Sequence, residues 1–171
     1  LQSRGLGDVY KRQAMFHYIK ESPYARLIQH AKYNGRPSID RELARMFAAE
    51  LAAEGFFEGI DMIFPIPLHC RKRWRRGFNQ SEEIAAGISE VTGIKCGDNL
   101  KALPHSTQTR KNAAERAANM EGKIVTVHGE ELSGKHLLVV DDVITTGATL
   151  LAAAKAIQAG ANGVKVSVLT L

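Results

Sequence analysis

An α/β fold with a mostly parallel sheet flanked by helices is predicted by three features of this chain. Leu137–Val140 is a continuous apolar run containing β-branched residues, the pattern of a strand buried on both faces of a parallel sheet. That run passes straight into Asp141-Asp142 and then into a Thr/Gly turn, Thr145–Thr149, ahead of a helix-forming segment. Elsewhere, short apolar runs alternate with stretches of helical spacing, as in successive βαβ units.

The elements follow in chain order. Leu1–Gln13 has no usable periodicity and carries Gly5, Gly7 and three basic residues. It reads as a leader of vector, adaptor or frame origin, so the domain is expected over 14–171. Met15–Lys32 has a loosely helical spacing at Phe16, Ile19, Leu27, Ile28 and Ala31. Pro23 interrupts it and suits the first turn of a helix better than its middle. Tyr33–Pro37 is a turn. Ser38 is expected to cap a second helix with Leu43, Met46, Phe47 and Leu51 on one face, ending before Gly55. Asp61–Ile66 reads as a short strand, and Asn79 or Ser81 as the cap of a helix running to about Val91. Lys101–Asn119 has little apolar periodicity and predicts a mobile loop leading into a short helix. Ile124–Val127 is a strand, Gly129–Lys135 a turn, His136–Val140 the buried strand, Thr149–Ala159 a helix and Gly163–Leu169 the last strand.

Size and composition bound the function. At 171 residues, with 44% hydrophobic and 24% charged content, the chain fits one globular domain with an ordinary core. No apolar run approaches a membrane span and no segment reads as a cleavable signal. Cys70 and Cys96 are too few and too far apart for a disulfide framework or zinc site, so a reducing, cytoplasmic location is expected. The net charge of +5 is mild and much of it lies in Arg71–Arg76.

Where a buried strand ends and a helix begins, small residues let the backbone approach a ligand, and the first helical amides have no intrahelical partner. With the Thr hydroxyls and the positive helix end, these make a phosphate site at Thr145, Thr146, Gly147, Ala148 and Thr149. Asp141 and Asp142 beside it suit ribose hydroxyls and a magnesium-bound phosphate. The bland reading is an Asp-Asp turn whose threonines satisfy local backbone groups; it does not explain adjacent carboxylates next to a Thr-rich turn. A Walker A sequence, which would recast the acidic pair as part of an ATPase, is not found in this chain.

A second constellation is Pro65-Ile66-Pro67-Leu68-His69, then Arg71, Lys72, Arg73, Arg75 and Arg76, then Gly77-Phe78-Asn79-Gln80. Five basic residues in six positions cannot all be buried. They form a solvated face, a nucleic-acid patch to which Trp74 would add a stacking ring, or a diphosphate site built from guanidinium donors. His69 and His105 have no nucleophile paired with them that would mark a general base.

Val139–Thr149 closely resembles the ribose-5-phosphate loop of type I phosphoribosyltransferases. Tyr33-x-Gly35, Phe64–Leu68, Arg76-Gly77-Phe78-Asn79-Gln80, Thr107-Gln108 and Glu115-Arg116-x-x-Asn119 precede that loop in the order seen in the ComF family. The family is phosphoribosyltransferase-like and includes proteins of competence for DNA uptake. The resemblance covers about Ala14 to the C-terminus, and Arg76–Gln80 is its most discriminating block.

The resemblance implies a ligand, phosphoribosyl pyrophosphate with Mg2+, and an enzyme that transfers phosphoribosyl to an acceptor the sequence does not identify. Asp141 and Asp142 would be catalytic and, with Thr145–Thr149, would hold ribose 5-phosphate. Leu68, His69, Arg71 and Arg76 would hold pyrophosphate, and Gln108, Arg110 and Arg116 would belong to a flexible loop over the site. The metal would be carried by the ligand near the acidic pair rather than by direct protein ligands. The alternative is a non-catalytic binding module that partners competence or DNA-uptake proteins. Direct nucleic-acid binding through Arg71–Arg76 is a weaker third reading. Two departures stand out: no Cys-rich zinc segment precedes the domain, which suggests a fragment or short form. Lys101–His105 also departs from the Arg-x-Arg-x-Thr-like pattern usual before Thr107-Gln108.

Overall fold

The computed structural model describes residues 37–68, 73–74, 77–103, 124–142 and 147–170, together with the backbone of 11–14. The expectations for Met15–Lys32, the 33–36 turn and most of the Lys101–Asn119 loop lie outside these residues.

The central layer is a four-stranded, wholly parallel sheet ordered β1-β6-β5-β2. Its strands are β1 (Lys11–Ala14), β2 (Met62–Pro65), β5 (His136–Asp141) and β6 (Lys165–Thr170). A two-stranded antiparallel ribbon of β3 (Leu100–Ala102) and β4 (Ile124–Thr126) lies apart from it. The helices are α1 (Pro37–Ala53), α2 (Gln80–Thr92) and α3 (Ala148–Gly160). This is the α/β architecture, a parallel sheet with helices, that the sequence predicts.

Strand β5 sits at the centre because its sequence lets it. Leu137 through Val140 are each 0% exposed, and alternate residues point to opposite faces. Leu137 and Val139 join Phe64, Val166 and Val168 in a core with Leu150, Ala153 and Ile157 of α3. Leu138 and Val140 join Ile63 and Leu169 in a second core with Phe47 and Leu51 of α1 and Ile84 and Ile88 of α2. Helices therefore cover both faces, as a continuous apolar strand requires. Each fully buried side chain of this kind stabilises the fold by about 1.5–3 kcal/mol.

Helix α1 begins at Pro37, a residue suited to a first turn. Its buried face is Ala44, Phe47, Ala48 and Leu51, with Asp40 also buried. Met46, expected on that face, is instead 56% exposed. The small residues explain the shift: α1 lies against α2 through Ala44, where a Cβ on Gly87 would strike the Arg41 carbonyl oxygen and the Ala44 methyl. The stripe is consequently rotated toward alanines rather than toward the larger methionine.

Other differences are local. Lys101 and Ala102, expected to open a loop, belong instead to β3, paired with Val125 and Ile124. After α2 the chain returns alongside β2: the Ile63 N–H donates to the Lys95 carbonyl at 3.0 Å and the Gly97 N–H to the Ile63 carbonyl at 2.9 Å. Strand β1 pairs Lys11–Ala14 with Ser167–Thr170, so the boundary expected after Gln13 falls within a strand.

Candidate functional site

The C-terminal ends of parallel strands and the N-termini of the helices that follow them gather on one edge of such a sheet, where ligands bind in open α/β folds. Here that edge carries the ends of β2 and β5 and the starts of α2 and α3.

Asp141 is the last residue of β5 and Asp142 follows it; both are half-buried. The connection ends at Gly147, and α3 begins at Ala148. Gly147 is buried and has φ 73°, ψ 1°, a left-handed conformation that glycine adopts without the steric cost of a Cβ. The N-cap Gly147 has no side chain to offer the helix, and no acidic residue stands in the first turn of α3, so no carboxylate within that turn offsets its positive end. Thr149 lies in that first turn, half-buried. Asp141 and Asp142 therefore stand at the end of β5, and Gly147, Ala148 and Thr149 at the start of α3. Thr145 and Thr146 lie outside the described residues.

The end of β2 supplies the neighbouring corner. Its register with β5 pairs Pro65 with Val140, and the Ile66 N–H extends the ladder by donating to the Val140 carbonyl at 2.9 Å. Leu68 follows, half-buried. His69, Arg71 and Arg76, expected beside it, are outside the described residues, as are Gln108, Arg110 and Arg116. Within the basic cluster, Arg73 is engaged by Glu82 at 2.8 Å, and Trp74 is 88% exposed.

Helix α2 starts at the same edge. Asn79 is its N-cap: φ is −111°, ψ is 118°, and Oδ1 accepts the Ser81 N–H at 3.2 Å. The sequence allowed Asn79 or Ser81 to cap; the structure selects Asn79. Glu82 and Glu83 in the first turn complement the helix dipole. The Asn79 amide also donates to the Ile66 carbonyl at 3.0 Å, tying helix start to strand end.

Ser81 has a different partner, one missed in the sequence. Its hydroxyl donates to Asp141 Oδ1 at 3.0 Å, and the same oxygen accepts the Asp142 N–H at 2.9 Å. The signal was a small hydroxyl residue one position beyond the discriminating Arg-Gly-Phe-Asn-Gln block, but its spatial partner is 60 positions away.

Comparisons with known proteins bear on the family and the fold. The family model for the phosphoribosyl transferase domain matches residues 97–169, which include the acidic pair and α3. Competence protein F of Haemophilus influenzae is 33% identical over 140 residues, covering 78% of this chain and 60% of that protein. Competence protein ComFC of Bacillus subtilis is 29% identical over 110 residues, 64% of this chain and 43% of its own length. These matches support the resemblance of this chain to the ComF family. The chain spans about 60% of the length of the H. influenzae relative. Among solved structures, glutamine phosphoribosylpyrophosphate amidotransferase from B. subtilis aligns with TM-score 0.50 and 22% identity, over 75% of this chain and 25% of that one. That likeness concerns the fold alone. No described helix of this chain is long and apolar enough to cross a membrane.

Proposed function

We propose that this chain binds phosphoribosyl pyrophosphate with Mg2+ and transfers the phosphoribosyl group to an acceptor, with release of pyrophosphate. The observation that carries the reading is the placement of Asp141 and Asp142 at the C-terminal end of the central strand, on the sheet edge where α3 also begins with a left-handed glycine, Gly147, at its N-cap.

Each group has a task set by its chemistry. The acidic pair accepts hydrogen bonds from the ribose hydroxyls. Its negative charge stabilises the positive charge that develops at the anomeric carbon as the bond to pyrophosphate breaks. The pyrophosphate leaves with that bond's electron pair, and the acceptor's nucleophilic atom forms the new bond to carbon, losing its proton to solvent. Thr145–Thr149 and the α3 amides hold the 5-phosphate. Leu68, His69, Arg71 and Arg76 hold the pyrophosphate, for which forked guanidinium donors are well matched. Carboxylate and phosphate oxygens are the hard donors that Mg2+ prefers, and the ion, when bound, offsets charge on the leaving group.

The names of the relatives, competence protein F and DNA utilization protein YhgH of Escherichia coli, support a second reading: a binding module that keeps the ligand site in the service of DNA uptake. Calorimetric titration with phosphoribosyl pyrophosphate and Mg2+, followed by a pyrophosphate-release assay across candidate acceptors, separates the readings. Binding with turnover supports the transferase. Binding without turnover supports the module, and absence of binding overturns both.

A further inference from the structure

We infer that Ser81 is a positioning residue for the acidic pair, so that the start of α2 sets the orientation of the Asp141 carboxylate. The inference rests on the ribose-binding role proposed above and adds a residue which that reading did not contain.

The argument begins with how firmly Ser81 is held. It is 4% exposed, and the capping Asn79, which takes its N–H, is 3% exposed. Asn79 is fastened in turn to the Ile66 carbonyl, and Ile66 to the Val140 carbonyl beside Asp141. The hydrogen bonds therefore close a ring: Val140, Ile66, Asn79, Ser81, Asp141. A hydroxyl mounted on that ring has little freedom to follow a moving carboxylate.

At the other end, Asp141 Oδ1 receives two donors, the Ser81 hydroxyl and the Asp142 N–H. Donors from two directions fix the plane of a carboxylate that could otherwise rotate about its side-chain torsions. The main-chain bond also ties the backbone of Asp142 to the same oxygen, which fixes the Asp141 carboxylate relative to the start of the connection. Because Ser81 holds one oxygen rather than touching ligand, its effect on binding passes through Asp141. The ring also joins the β2 end, where pyrophosphate is proposed to sit, to the β5 end, where ribose is proposed to sit.

The test titrates the full chain with three probes, each with Mg2+: phosphoribosyl pyrophosphate, ribose 5-phosphate and inorganic pyrophosphate. Ser81→Ala should weaken the two ribose-bearing probes about tenfold, as for loss of a hydrogen bond to a charged group, and leave pyrophosphate within about twofold. Ser81→Thr, which keeps the hydroxyl, should restore most of the affinity. In an Asp141→Ala background, which leaves Ser81 no side-chain oxygen to hold, Ser81→Ala should add no further loss, because the two residues act as one unit. Equal weakening of all three probes, or unchanged affinity for all, overturns the inference. Full additivity with Asp141→Ala overturns it as well, and that cycle decides the matter if Ser81→Thr does not fold. Wild-type chain that binds none of the probes overturns the ribose-binding reading itself, and this inference with it.

Discussion

Gly87 of α2 faces the main-chain carbonyl oxygen of Arg41 in α1, so closely that any Cβ at this position would overlap it. The two helices meet there without side chains between them, and Ala44 lines the same contact. Across the surface beside it, Arg41 bridges to Glu83 at 3.0 Å and to Glu90 at 3.5 Å. Those bridges are part-exposed and are worth little; the close backbone approach sets the spacing of the helices.

Gly87→Ala should therefore destabilise the fold even though alanine is the better helix former. Overpacking of this kind costs about 1–3 kcal/mol, and the gain in helix propensity returns about 1 kcal/mol at most. A thermal melt should show a lower midpoint for Gly87→Ala and a larger fall for Gly87→Val. A midpoint that rises with alanine would mean that the helices separate without cost.

The acidic pair is tested by removing charge while keeping shape. Asp141→Asn/Asp142→Asn should abolish binding of phosphoribosyl pyrophosphate in calorimetry and leave the melting curve close to wild type. The asparagine carbonyl can still accept from Ser81, so the ring at the strand ends survives. Unchanged affinity in the double variant would sink the assignment.

The basic cluster separates a diphosphate site from a nucleic-acid patch. Arg76→Ala should weaken phosphoribosyl pyrophosphate about ten- to a hundredfold, the equivalent of roughly 1.5–3 kcal/mol for a charge-assisted contact. Ribose 5-phosphate, which has no diphosphate, should be little affected. Equal weakening of both ligands, accompanied by collapse of DNA binding, would give the cluster to nucleic acid.

Paired truncations test β1. A chain beginning at Lys11 keeps the strand that pairs with Ser167–Thr170, whereas a chain beginning at Met15 loses it. The second should melt several degrees lower, as expected for a loss of about 1 kcal/mol or more in a domain of this size. It should also associate more readily, because the β6 edge is left open. Equal melting points and equal solubility would show that β1 contributes nothing to the sheet.

The central strand, the acidic pair and the helix after it were legible in sequence because each depends on neighbours along the chain. Leu137–Val140 announces burial on both faces by being apolar at every position, and Asn79 caps α2 through a residue two positions away. The ribbon strand β3 and the edge strand β1 were not legible. Each has three or four residues, no clear alternation, and a partner supplied from elsewhere in the chain: Ile124–Thr126 for β3 and Ser167–Thr170 for β1. Met46 was placed on the wrong face because helical periodicity defines a stripe only to within a residue or so. The close contact at Gly87 then chose alanine over methionine.

The sequence by itself determined the fold class and the chemistry available at one strand end, since periodicity and residue type are properties of short segments. Only the tertiary structure decided that Ser81 meets Asp141. A hydrogen bond requires two atoms within about 3 Å, and residues 60 positions apart come that close only when β2, β5 and α2 have packed together.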